Sequence, residues 1–243
     1  MRNNFFIILL LIFSACQSTK IKNDRYLVST SNPEIGSIGQ SKSLFELRND
    51  FEVRTFPKLE NNIRIAIDII PYNKKLNDFY KAKEKFNQNQ SKIAYTDSLA
   101  SKPELVTIRL MDVSGFINEL NATYNSDVFR LLIDTQNSKI VSSLAANLST
   151  DEIAKIRQAD TYYLTNQQNN KYILALYTLG KKTATIDINT NTIVAYQLSS
   201  FCWATSERGN WYIADIVKNS ESCKGKTKAR INEKKRSKNL FDL

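Results

Sequence analysis

The stretch Lys171-Tyr172-Ile173-Leu174-Ala175-Leu176-Tyr177-Thr178-Leu179-Gly180-Lys181-Lys182-Thr183-Ala184-Thr185-Ile186-Asp187-Ile188 decides the fold class. Two runs rich in β-branched and aromatic residues flank Gly180-Lys181-Lys182, which predicts strands over Lys171 to Leu179 and Thr183 to Ile188 joined by a tight turn. Downstream the pattern repeats. Thr192 to Phe201 and Trp211 to Val217 read as strands, with Asn189-Thr190-Asn191 and Glu207-Arg208-Gly209-Asn210 as the turns before them. Connections this short join antiparallel neighbours, so the chain from Thr161 onward reads as an antiparallel meander.

Upstream, Ile63 to Ile70 alternates and is stopped by Pro71, while Leu105 to Leu110 forms a second strand. Helices are expected where apolar residues recur at helical spacing: Leu44 to Phe51, Lys74 to about Gln88, and a short one capped by Ser114 that carries Phe116, Ile117 and Leu120. Ser149-Thr150-Asp151-Glu152 is a capping box that opens a helix to about Gln158. Val128 to Asp134 fits helix or strand by periodicity. Its continuation, Ile133 to Val141, resembles Ile186 to Val194 at Ile-Asp and Ile-Val, which reads as a pair of hairpins and favours strand. The expected fold is α+β, an antiparallel sheet (the C-terminal meander) with helices packed on one face. Arg208 to Ile216 resembles the last strand of cone-shaped nuclear-transport-factor-like domains, which implies an architectural alternative that cradles small molecules or dimerises.

The first residues carry a different signal. Met1 and Arg2 precede an unbroken nine-residue apolar run, Phe5 to Phe13, followed by Ser14, Ala15 and Cys16. The run is shorter than the roughly 20 residues of a spanning helix and has the layout of an export signal. This segment resembles a bacterial lipoprotein signal peptide, with Phe13 where that family usually has Leu. The resemblance implies cleavage before Cys16, acylation of its sulfur, and a lipid-anchored protein of the bacterial cell envelope. Gln17 in place of an aspartate leans towards the outer membrane. The implied organisation is a signal peptide over 1–15, a flexible tether over 16–40, one α+β domain over 41–223 and a basic disordered tail over 224–243.

Composition narrows the chemistry. The chain has no histidine, which removes serine-histidine-aspartate hydrolysis, cysteine-histidine proteolysis and histidine-bearing zinc sites. Two-carboxylate glycosidases and serine-lysine hydrolases remain as histidine-free routes. Neither a phosphate loop nor a paired-cysteine metal motif is present in the sequence. The expectation is a protein that is not an enzyme and holds no cofactor or metal.

Net charge is +10, of which the segment from Lys224 to the end carries +6, so residues 17–223 hold only +3 once Arg2 is removed. The basicity belongs to the tail, which suits contact with an anionic surface; an exported, anchored chain does not meet nucleic acid. With Cys16 acylated, Cys202 and Cys223 form an even pair in an oxidising compartment and are expected as a disulfide. Closing the loop between them stabilises the fold by about 3 kcal/mol in the chain-entropy model.

Beside that pair lie Phe201, Trp203, Trp211 and Tyr212, a core cluster or an aromatic contact surface for a glycan or protein. Asp215 shares the strand face of Trp211, Ile213 and Val217 by simple alternation, which makes it a candidate ligand contact or acid. Asp187 to Asn191 spaces oxygens like the start of a calcium loop, but Thr192 and Leu198 stand where glycine and a bidentate glutamate belong, so it reads as a turn. Asp97-Ser98-Leu99 resembles a short acceptor for serine-linked glycosylation. The expected function is binding, the domain docking another envelope protein in an assembly, secretion or protective complex. Its alternatives are a small-ligand or cell-wall-glycan binder and a histidine-free envelope hydrolase.

Overall fold

The computed structural model describes residues 18–22, 24–27, 33–41, 51–84, 93, 95–96, 98, 102–135, 137–167 and 171–231. Its elements, in order, are β1 (Ser18–Ile21), β2 (Asp24–Leu27), β3 (Ile38–Ser41), β4 (Phe51–Thr55), β5 (Ile63–Pro71), α1 (Lys74–Glu84), β6 (Glu104–Leu110), α2 (Val113–Asn121) and α3 (Ser126–Asp134). Then come β7 (Lys139–Ala146), α4 (Thr150–Gln158), β8 (Thr161–Gln167), β9 (Lys171–Thr178), β10 (Lys181–Ile186), β11 (Ile193–Thr205) and β12 (Trp211–Lys218). All strands join one antiparallel sheet, in the order β1-β2-β11-β7-β6-β5-β8-β9-β10, with β12 on β11 and the β3–β4 hairpin on β7. Sheet dominates; the class is α+β.

The deciding stretch forms the β9–β10 hairpin, and β8–β9–β10 is a meander. It does not continue as expected. β10 ends the sheet at one edge while β11 lies between β2 and β7, so the chain crosses over instead of turning back. The reason is local. Asn189 starts a 3-10 turn over Thr190–Thr192, its side chain accepting from Asn191 N at 2.9 Å, and Thr192 O then accepts from Asn147 N at 2.8 Å, which lays the next strand beside β7. Residues 186–194 are therefore not a hairpin.

Two apolar layers sandwich the sheet. On β7, Leu144 and Ala146 belong to the larger cluster and Ala145 to the smaller; on β6, Val106 and Leu105 divide the same way. Neighbouring residues of a strand point to opposite faces, so the two clusters are the two sides of the sheet. Phe116 and Leu120 of α2, Leu132 of α3, and Ile153 and Ile156 of α4 fill the larger layer, whereas Leu76 and Tyr80 of α1 fill the smaller. Helices thus cover both faces, where one helix-covered face was expected. A sheet whose central strands are buried on both sides needs this.

Two local expectations are corrected. Val128 to Asp134 is helix: Val128, Phe129, Leu132 and Ile133 pack on the larger core at i, i+1, i+4, i+5 spacing, which only a helix brings to one side. The cap of α2 is Asp112, whose Oδ1 accepts from Gly115 N at 2.8 Å, and not Ser114, which lies inside the helix. The expected helix over Leu44 to Phe51 lies outside the described residues except Phe51, which opens β4. The capping box at Ser149 and Glu152 has both reciprocal bonds.

Residues 18–40, expected in a tether, supply two strands and most of a third. Ile21 and Tyr26 are buried in the smaller layer, Ile35 and Ile38 in the larger. The β1–β2 hairpin lies across the sheet face as a strap: Leu27 pairs with Tyr196 of β11, Tyr26 Oη hydrogen-bonds Ser143 Oγ of β7 at 2.9 Å, and Lys22 reaches Asp68 of β5 at 3.2 Å. Between the strap and β3, Gly36 turns with φ +77 while its N donates to Val141 O at 2.8 Å; a Cβ there would stand 2.7 Å from the Tyr172 ring. Their polar composition hid these strands because each needs only one or two apolar residues to be held.

Candidate functional site

The β11–β12 hairpin carries the residues singled out in the sequence. Its ladder pairs Trp203 with Ile213, Ala204 with Tyr212 and Thr205 with Trp211. Cross-strand partners share a face, so Trp203 and Trp211 lie together on the core side and Tyr212 on the other. Trp203 is buried, its ring edge-on to Phe129 of α3 at 5.8 Å. Trp211 is half-buried against the same core, and Tyr212 is 40% exposed. The aromatic cluster is thus divided: Phe201 and Trp203 pack, and Tyr212 alone faces out.

Asp215 does not share the face of Trp211 and Ile213. A register shift between Cys202 and Trp203 leaves Ala214 as an extra residue on β12, so Ile216 packs on the core and Asp215 stands opposite Cys202. A bulge reverses alternation from that point on. Asp215 Oδ1 accepts from Ile216 N at 2.8 Å, a contact local to the bulge.

Cys202 and Cys223 are joined, with Cα atoms 5.6 Å apart and a sequence separation of 21. The bond holds the start of the basic segment to β11. Beyond it, Trp203 and Lys228 exchange two backbone bonds of 2.8 Å, and Ile231 packs on the core. The tail as far as Ile231 is therefore ordered on the sheet rather than free from Lys224; residues 232–243 lie outside the described residues.

Two polar groupings were not foreseen. The first holds the segment Pro57 to Asn61. Glu119 of α2 is buried, and its carboxylate accepts from Glu60 N at 2.6 Å, Asn61 Nδ2 at 2.7 Å and Tyr124 Oη at 2.7 Å. Burial, and next the proton shared with Glu119, push the Tyr124 phenol up to about 12. Asn125 is buried too; it accepts from Lys58 N and donates to Lys58 O, both at 2.8 Å. Asn166 donates to Leu59 O at 2.6 Å and Tyr172 Oη to Pro57 O. Each buried group here is matched, which is the signature of a loop fastened to the core.

In the second grouping a hydroxyl meets an amine. Lys139 of β7 donates to Ser200 Oγ of β11 at 2.6 Å and to Asn219 Oδ1 at 2.9 Å. Burial, then the nearby Arg230 charge, lower the Lys139 ammonium below its usual range. A serine-lysine nucleophile requires the hydroxyl proton to point at the amine. Here Ser200 Oγ donates to Asn219 Oδ1 at 3.2 Å, and the lysine gives protons to both oxygens. The arrangement ties β7, β11 and the end of β12 together.

Among the described residues no group of three or more Cys, Asp or Glu side chains is placed to hold a metal ion. Asp187 pairs with Lys171 at 3.0 Å beside the 3-10 turn. Of Asp97-Ser98-Leu99, only Ser98 is described, 3.3 Å from Thr96 Oγ1. No helix among the described residues is long and apolar enough to cross a membrane. No protein-family model matches this chain, and no curated protein matches it.

Proposed function

We propose that this protein is a lipid-anchored bacterial envelope protein, acylated at Cys16 and more suited to the outer than the inner membrane, that works by binding another envelope protein and not by catalysis. The observation that carries this reading is the apolar run Phe5 to Phe13 ending in Ser14-Ala15-Cys16. Support for an oxidising compartment comes from the Cys202–Cys223 bond, since such bonds persist outside the cytosol. Support for binding comes from Glu119, a buried carboxylate whose oxygens are taken up by three donors that hold a loop.

Growth with an alkyne fatty acid tests the anchor. The native chain takes up label and sediments with membranes, and the Cys16→Ser chain does neither; an unlabelled native chain overturns the reading. Crosslinked capture from envelopes, compared with the Cys16→Ser control, then returns a protein partner. A second reading, binding of a glycan or small molecule, is favoured by the exposed ring of Tyr212 on β12. In that case capture enriches sugars and no protein.

A further inference from the structure

Cys16 precedes β1 by a single residue, Gln17, and β1 starts at Ser18. Two residue steps of extended chain span about 7 Å, so an acyl group on Cys16 places the β1–β2 strap within that distance of the headgroups. The strap does not stand apart from the rest of the molecule. Ile21 and Tyr26 are buried in the same layer as Leu76 and Tyr80 of α1, so α1 sits on the sheet face the strap crosses.

The outer side of α1 is basic. Lys74, Lys75 and Lys81 are exposed on it with Asp78, and Lys102, also exposed, is brought to the helix start by the bond from Tyr72 N to Pro103 O of 2.9 Å. None of these four lysines enters an ion pair among the described residues, whereas Lys22 and Lys218, nearer the strap, are matched to Asp68 and Asp24. Four cations against the one carboxylate of Asp78, beside the point of attachment, are complementary to an anionic surface. We propose that the α1-bearing face, through Lys74, Lys75, Lys81 and Lys102, lies against the anionic phospholipid headgroups of the membrane that holds the Cys16 anchor. This rests on the acylation reading above. It also turns the opposite face of the molecule, the larger layer covered by α2, α3 and α4, towards solution.

The test uses the mature chain, residues 16–243 with Cys16→Ser, so that no acyl chain contributes. Sedimentation with vesicles of phosphatidylcholine and phosphatidylglycerol in a 70:30 ratio is compared with pure phosphatidylcholine, at low and raised salt. The expected result is salt-sensitive binding to the anionic vesicles alone. Replacing all four lysines by glutamine lowers the partition coefficient by at least about 100-fold, at roughly five-fold per lysine. Truncation after Ile231, which removes the rest of the basic tail, changes it by less than about ten-fold. Single-lysine variants carry the comparison where the quadruple variant melts below the parent. Absence of preference for anionic vesicles overturns the proposal, as does a loss on truncation equal to that of the quadruple variant. Fatty-acid labelling of Cys16 without vesicle preference removes only the face assignment; vesicle preference without labelling removes only the anchor.

Discussion

Glu119 illustrates what single residues do in this molecule. Its buried carboxylate satisfies a main-chain N–H, an amide and a phenol from a segment about 60 residues upstream and from the next turn of the chain. Removing it leaves three donors of part-buried bonds without their acceptor, and each bond lost costs about 1 kcal/mol. Glu119→Ala is expected to lower unfolding stability by about 3 kcal/mol in urea melts, with Glu119→Gln intermediate because it still accepts at one oxygen. A change below about 0.5 kcal/mol would show that the Pro57 to Asn61 segment is held some other way. None of this was legible in the sequence. Glu119 reads there as one more polar position of a helix, since its partners are set by tertiary folding. The capping box at Ser149 was legible, because both of its members lie within four residues and their bonds depend on no other part of the chain. Asp215 was misplaced for a related reason: alternation predicts a face only while the register is kept, and one extra residue at Ala214 breaks it.

At the scale of elements, the open side of β12 is closed by a single side chain. Asn121, the last residue of α2, donates from Nδ2 to Ile213 O at 2.8 Å and accepts at Oδ1 from Ile213 N at 3.0 Å. That pair imitates a neighbouring strand and occupies the groups through which a sheet edge adds another chain. Asn121→Ala is expected to expose them. Light scattering at high concentration should show more self-association than the native chain does, together with a stability loss of about 1–2 kcal/mol; a variant that associates no more than the native chain would assign edge protection elsewhere. The hairpins β9–β10 and β11–β12 were legible from their turns, and β5 and β6 from alternation. The crossover between β10 and β11 was not, because Asn189-Thr190-Asn191 suits a reversal and a 3-10 turn equally and the choice is made by the β7 edge that receives the chain. Strap strands of four residues were hidden by composition, and α3 by the ambiguity of a short apolar run.

For the whole molecule, alkaline pH is the informative variable. Burial raises the phenols of Tyr26, Tyr72 and Tyr172 above their ordinary value. In the unfolded chain they ionise near pH 10, whereas in the folded chain they keep their protons, so the stability present below pH 10 is lost as pH rises further. Each contributes a slope of about 1.4 kcal/mol per pH unit while the folded form stays protonated. Lys139 acts with the opposite sign. Its lowered folded value means that raising the pH towards the ordinary lysine range relieves a penalty, so stability gains slightly before the tyrosine loss begins. Melting temperature should hold or rise to about pH 10 and then fall steeply. Tyr72→Phe is expected to lower the slope above pH 10 by about 1.4 kcal/mol per pH unit. An unchanged slope would mean that Tyr72 ionises freely in the folded state.

The strap has a mechanical consequence for a chain held at its N-terminal side. Among the described residues β2 meets β11 at one paired position, Leu27 with Tyr196, while β11 and β7 share a ladder from Ile193 to Ser200. A pull transmitted through Ser18 would load the β1–β2 ladder as a zipper is loaded, then the single contact of β2 with β11, and would reach the β11–β7 ladder only after the strap had peeled away. Tension at the attachment point would therefore uncover the face of β5, β6 and β7 beneath the hairpin while the remaining sheet, stapled at Cys202, stayed intact.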